Sequence, residues 1–144
     1  MGVKIKKLTL WRTEVDNDPG ALAGVLEPLA ASKADLKVVM GYRFPGNNRR
    51  AAIELAPVSG KKKKEAAGQA GLADSGIPTL SIKGTDKPGL GYKITKALAE
   101  SGINIDFFVA QVIGKDYSAI IGFDSETDAR SAALIIKKVS TKKK

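Results

Sequence analysis

Apolar and polar positions along this chain alternate with two periods, and the two periods follow each other in a fixed order. Residues 3–15 place Val3, Ile5, Thr9, Trp11, Thr13 and Val15 on one parity, interrupted by Lys7, with Leu8 and Leu10 on the other. A period of two with apolar residues on both faces predicts an interior strand. Residues 19–32 switch to helical spacing, with Leu22, Val25, Leu26 and Leu29 on one stripe and Pro28 as a blemish inside it. Residues 35–44 alternate again, Pro45-Gly46-Asn47-Asn48 is a turn, and residues 49–57 return as the second arm of a hairpin. Ser59 is a candidate N-cap for a lysine- and alanine-rich helix over residues 60–73. Gly68 and Gly71 weaken that helix, and Asp74-Ser75-Gly76 ends it.

The order then repeats. Residues 77–84 predict a strand. Residues 88–101 predict a helix with Leu90, Ile94, Ala97 and Leu98 inward. Residues 103–113 and 117–123 form a hairpin about Gly114-Lys115-Asp116, and Ser125 caps a last helix running to about residue 138. Pro19 and Pro88 are 69 positions apart, and at that offset Val25 meets Ile94, Leu29 meets Leu98 and Leu36 meets Ile105. Beyond the hairpin turn an offset of 68 matches Ala51 to Ala119, Ile53 to Ile121 and Leu55 to Phe123, which implies one deletion in the turn. The chain is therefore a duplicated β-α-β-β-α unit, divided at residues 1–76 and 77–144. The fold class is α+β: two tandem ferredoxin-like (βαββαβ) units, antiparallel sheets with helices on one face. Neither copy leaves much sequence for a closing fourth strand.

Composition removes several chemistries. The 144 residues contain no cysteine and no histidine, so disulfides, thiolates, Cys/His zinc sites and histidine catalysis are excluded. No catalytic constellation remains, and no cofactor is expected. The net charge of +9 gathers in lysine runs at Lys61–Lys64, at Lys142–Lys144 and at Lys4, Lys6 and Lys7. Such runs suit a solvated surface, or nucleic acid as the alternative partner. No apolar run reaches the roughly 20 residues that span a bilayer, and no apolar stretch of signal-peptide type follows the first lysines. A cytoplasmic protein is expected.

The duplicated stretch that carries chemistry is Asn17-Asp18-Pro19-Gly20-Ala21-Leu22 and its copy Asp86-Lys87-Pro88-Gly89-Leu90-Gly91. Each copy reads as strand end, tight turn and helix start. Proline suits the first helical turn, the preceding polar side chain suits a cap, and a helix N-terminus attracts anionic groups.

A ferredoxin-like unit with a Pro-Gly turn after its first strand resembles the ACT domain. The second copy adds Ser101-Gly102-Ile103-Asn104-Ile105 and Gln111 to that resemblance, which spans about residues 5–139. It implies a regulatory module that binds a small molecule, most often an amino acid, pairs as a homodimer and acts on a separate enzyme or regulator. It also implies ligand sites shared between neighbouring units. One would combine Asn17, Asp18, Gly20, Ala21 and Leu22 with Asn104 and Ile105; the other, Asp86, Lys87, Gly89, Leu90 and Gly91 with Asp35 and Leu36. The first brings two amides together and suits a zwitterion. The second opposes Asp86 to Asp35 and is expected to be weaker.

Other groupings carry less. Asp124, Glu126 and Asp128 stand at a helix start, where acids satisfy the dipole rather than a metal. Phe107-Phe108 could stack a base, but the flanking basic pattern is missing, and at least one ring is expected in the core.

Overall fold

The first strand expected from residues 3–15 is two strands that serve two different sheets. The protein, seen here as a computed structural model, is described over residues 2–141. β1 (Lys4–Leu8) and β2 (Trp11–Asp16) are separated at Thr9 and Leu10. The break falls where the apolar parity changes: Ile5 and Leu8 are half-buried while Leu10 is fully buried.

β2 leads to α1 (Ala21–Ala31), the hairpin β3 (Val38–Phe44) and β4 (Asn47–Ala56), α2 (Lys61–Gln69) and the short β5 (Ala73–Asp74). The second round is β6 (Thr79–Thr85), α3 (Leu90–Glu100), the hairpin β7 (Ile105–Ile113) and β8 (Asp116–Phe123), and α4 (Glu126–Thr141). The chain forms two compact units. One is Thr9–Gly76; the other is the chain up to Leu8 together with the chain from Ile77 onward. The chain divides after Gly76, and residues 1–8, expected in the first unit, group with the second. Their lysine-spaced strand pairs with β6 rather than continuing into β2.

Each unit has a four-stranded antiparallel sheet, in the orders β3-β4-β2-β5 and β1-β6-β8-β7. The missing fourth strands are thus supplied in two ways. β5 sits beside β2 through Trp11↔Asp74 and Arg12↔Ala73. β1 sits beside β6 from Lys4↔Lys83 to Leu8↔Thr79 and occupies the same sheet position in its own unit. β5 escaped the sequence pattern because two residues cannot show a period.

In the Thr9–Gly76 unit Val25 and Leu29 of α1 pack with Ile53 and Leu55 of β4 and Ala66 and Ala67 of α2. Pro28 lies inside α1 without ending it. The other unit packs Leu90, Ile94 and Leu98 of α3, and Ala129, Ala132 and Ile136 of α4, over Ile82, Ala119, Ile121 and Phe123. Ser125 caps α4 as expected, accepting the Asp128 N–H at 3.1 Å. Ser59 does not cap α2. Gly60 takes the N-cap place with φ 89°, and no side chain caps that helix. Lys61–Lys64 form its first turn, while Lys142–Lys144 lie outside the described residues.

Strand register corrects the offset of the repeat in the second hairpin arm. Thr13 and Gly41 both face Ile53, whereas their counterparts 69 positions on, Ile82 and Ala110, both face Ala119. Ile53 therefore corresponds to Ala119 and Leu55 to Ile121, an offset of 66 rather than 68. A two-residue slip preserves the face of every side chain, so alternation alone could not detect it. The three surplus residues lie at the register shift between Arg43 and Phe44, where Arg43 faces Ala51 but Phe44 faces Asn47.

Candidate functional site

Both Pro-Gly stretches are turns that precede their helices. The Ala21 N–H donates to the Asp18 carbonyl at 3.1 Å, and Gly20 has φ 87° and ψ −6°. The Leu90 N–H donates to the Lys87 carbonyl at 3.1 Å, and Gly89 has φ 84° and ψ 2°. A positive φ at the third residue, after proline, defines a type II turn and calls for glycine there. Pro19 and Pro88 therefore sit in the turn, not at the first helical position. The expected polar caps are absent as well: glycine is the N-cap of both α1 and α3, and no side chain caps either.

An uncapped α1 matters because a cleft of about 190 Å³ opens beside it. The end of β2 supplies Val15, Asp16, Asn17 and Asp18, α1 supplies Ala21 and Leu22, and the hairpin supplies Gly41 to Arg43 and Ala51 to Ile53. The volume is below the roughly 300–1,000 Å³ of a drug-sized pocket, which suits a small-molecule occupant rather than a drug-sized one. The Asn17 N–H donates to the Arg49 carbonyl and its Nδ2 to the Asn48 carbonyl, both at 2.8 Å. These bonds tie the turn to the three surplus hairpin residues and leave the Asn17 Oδ1 without a partner among the described residues. Asp16 pairs with Arg50 at 2.7 Å, and Arg43 donates to the Asn48 Oδ1 at 3.0 Å. Uncapped main-chain N–H groups and Arg43 suit a carboxylate. The Asn17 Oδ1 and the acids Asp16 and Asp18 suit an ammonium group.

Of the residues expected to bind, Asn17, Asp18, Ala21 and Leu22 line this cleft, and Gly20 shapes its turn. Asp35 does not join them within the unit. It lies past the far end of α1, about 16 Å of helix away, exposed and paired with Lys37 at 2.7 Å. Asp86, Lys87, Gly89, Leu90, Asn104 and Ile105 belong to the other unit. There Asp86 repeats the anchor of Asn17, donating its N–H to the Lys115 carbonyl at 2.8 Å. Asn104 is exposed just before β7, and Ile105 is its half-buried first residue.

Arg43, Tyr42 and Ala51 were missed as cleft residues. The sequence did hold a signal: α1 carries the chain away from the turn, so β3 must return to it with its last residues. On the opposite face of the same sheet Glu54 is buried and was also missed. The Tyr42 hydroxyl donates to its Oε2 at 2.6 Å, the Arg12 Nε lies 3.8 Å away, and Oε1 has no partner among the described residues. Burial, and then the hydrogen bond to Glu54, push the Tyr42 pKa up.

No protein-family model and no curated protein matches the sequence. Solved structures do match. Protein BT0572 from Bacteroides thetaiotaomicron is similar over 90% of this chain and 88% of its own, with a TM-score of 0.75 and 15% identity. The ligand-free regulatory subunit of aspartate kinase from Thermus thermophilus matches over 99% of this chain and 98% of its own, with a TM-score of 0.63 and 20% identity. Escherichia coli aspartokinase III in complex with aspartate and ADP matches over 95% of this chain and 32% of its own, with a TM-score of 0.57 and 13% identity. At these identities the likeness concerns the fold. The chain has the ACT-like α+β fold of two ferredoxin-like units found in aspartate kinase regulatory subunits.

Proposed function

We propose that this protein is a non-catalytic regulatory module that binds a free amino acid in the cleft beside the Asp18-Pro19-Gly20 turn. The carrying observation is the pairing of an uncapped helix start with an Asn17 Oδ1 that has no partner among the described residues, beside a cleft of about 190 Å³. The α-carboxylate lies against the N–H groups at the start of α1, and the α-ammonium meets Asn17 and the neighbouring acids. Likeness to an aspartate kinase regulatory subunit and to an aspartate-bound aspartokinase supports this class of ligand. The module acts through a partner. It works as a homodimer that signals by its assembly with a separate enzyme or regulator in the cytoplasm.

Thermal melts of ligand-free protein against each of the twenty amino acids test the reading. Binding at 100 times the Kd stabilises the native state by about 2.7 kcal/mol, which raises the melting temperature by about 5–10 °C at this size. Asn17→Ala should weaken the responding amino acid about tenfold, the equivalent of one hydrogen bond of about 1.4 kcal/mol. A flat panel would refute the reading.

A further inference from the structure

The two units surround the same turn with side chains of exchanged size. Strand register fixes the correspondence: Val15 faces Ala51 at the cleft, and Gly84 faces Tyr117 at the matching place in the other unit. In the helix the 69-residue offset matches Leu22 to Gly91. Where the cleft has Val15, Leu22 and Ala51, its counterpart has Gly84, Gly91 and Tyr117.

Tyr117 is 6% exposed, and its hydroxyl is buried without a hydrogen-bond partner among the described residues. That hydroxyl lies 3.3 Å from where a Cβ on Gly91 would stand, so a side chain there would press on it by a few tenths of an ångström. Val3 packs against the bare backbone of Gly84. A Cβ on Gly84 would come within 2.7 Å of its Cγ1. Leu90, the counterpart of half-buried Ala21, is itself buried. A ring placed only to fill a core would lose nothing as phenylalanine, because a buried hydroxyl with no partner costs stability. Burial, and then the charge of Asp86, push its pKa up.

We propose that Tyr117 is a built-in plug: its ring occupies, in the second unit, the space that the first unit leaves open as a ligand cleft. Each chain then takes one amino acid, not two, and a second site of the same class lies closed beneath this ring. The ligand class rests on the function proposed above; the plug itself rests on register and packing.

Equilibrium dialysis against each of the twenty amino acids tests it on the wild type and three variants, each checked for folding by circular dichroism. Wild type should bind one equivalent per chain. Tyr117→Ala should bind one more than wild type, and Tyr117→Phe, which keeps the ring, should bind no more than wild type. Ala51→Tyr carries the plug to the first unit and should lose the wild-type site. Should Tyr117→Ala not fold, Tyr117→Val replaces it. Two equivalents on wild type, or no added equivalent on a folded Tyr117→Ala or Tyr117→Val, would overturn the plug. Binding by Tyr117→Ala but not by wild type would leave the plug standing and remove the proposed cleft instead.

Discussion

Replacing Gly122 with alanine isolates one packing contact and puts a number on it. Gly122 is buried on β8 and faces Phe107 on β7, whose ring lies across it. A Cβ built there would stand 2.2 Å from Phe107 Cε2, 2.5 Å from Cδ2 and 2.8 Å from Cζ. All three are atoms of one ring, so that ring must leave its position. Overpacking of this kind costs about 1–3 kcal/mol. The backbone itself does not resist, since Gly122 lies outside the left-handed region, and alanine recovers up to about 0.5–1 kcal/mol of chain entropy. The net expectation is a loss of about 1–2 kcal/mol. Urea unfolding should show it as a midpoint lowered by about 0.5–1 M with an unchanged slope. With Phe107→Ala as background the same alanine should cost nothing or stabilise, a coupling of about 2 kcal/mol in a double-mutant cycle. An unchanged midpoint in Gly122→Ala, or an equal loss in both backgrounds, would refute the contact. The same geometry bears on Phe107 as a base-stacking candidate: its ring is spent on its neighbouring strand, while Phe108 packs against the helix-side core.

Other outcomes follow from single groups. Ser125→Ala removes the α4 cap at Asp128 and should cost about 1 kcal/mol, read as a lower melting temperature. Tyr42 and Tyr117 both have pKa values raised by burial. A raised pKa means the folded state holds the proton more tightly, so this contribution to stability is complete below the ordinary tyrosine value of 10.0. It is lost as pH rises through the folded values. Tyrosinate absorbance should therefore report two late-titrating phenols, and Tyr117→Phe should remove one of them. Because the Tyr117 hydroxyl has no partner among the described residues, Tyr117→Phe should leave stability unchanged or raise it by about 1 kcal/mol, measured by urea unfolding.

The duplication, the order of elements and the antiparallel α+β class were legible because long amphipathic segments and Pro-Gly turns have strong local causes. What escaped depended on pairing between distant residues. Nothing local says that Ile5 faces Ile82 while Thr13 faces Ile53, so one apolar run hid two strands. The slip from 66 to 68 was invisible because it keeps side-chain faces intact. Along the cleft, Asn17 and Asp18 could be found from the turn motif alone. Arg43 and Ala51 come from a hairpin whose register a three-residue irregularity resets. The helix entries were misread because proline suits both a first helical turn and the second position of a type II turn. Only the positive φ of the following glycine separates the two.

The strand that crosses into the other sheet also sets an order of assembly. Ile5 meets Ile82 only after the intervening chain has been accommodated, and that chain is the complete Thr9–Gly76 unit. The Ser75 N–H donates to the Leu10 carbonyl at 2.8 Å, so the inner unit, once folded, holds its own ends together. Folding it first replaces a loop of about 70 flexible residues by one of about four. Loop-closure entropy scales with (3/2)RT ln n, so the saving is about 2–3 kcal/mol. The inner unit thereby acts as a clasp. A lesion that unfolds it charges the outer sheet for a long loop, so damage passes outward through the connectivity of the chain even where no side chain of the outer unit has changed.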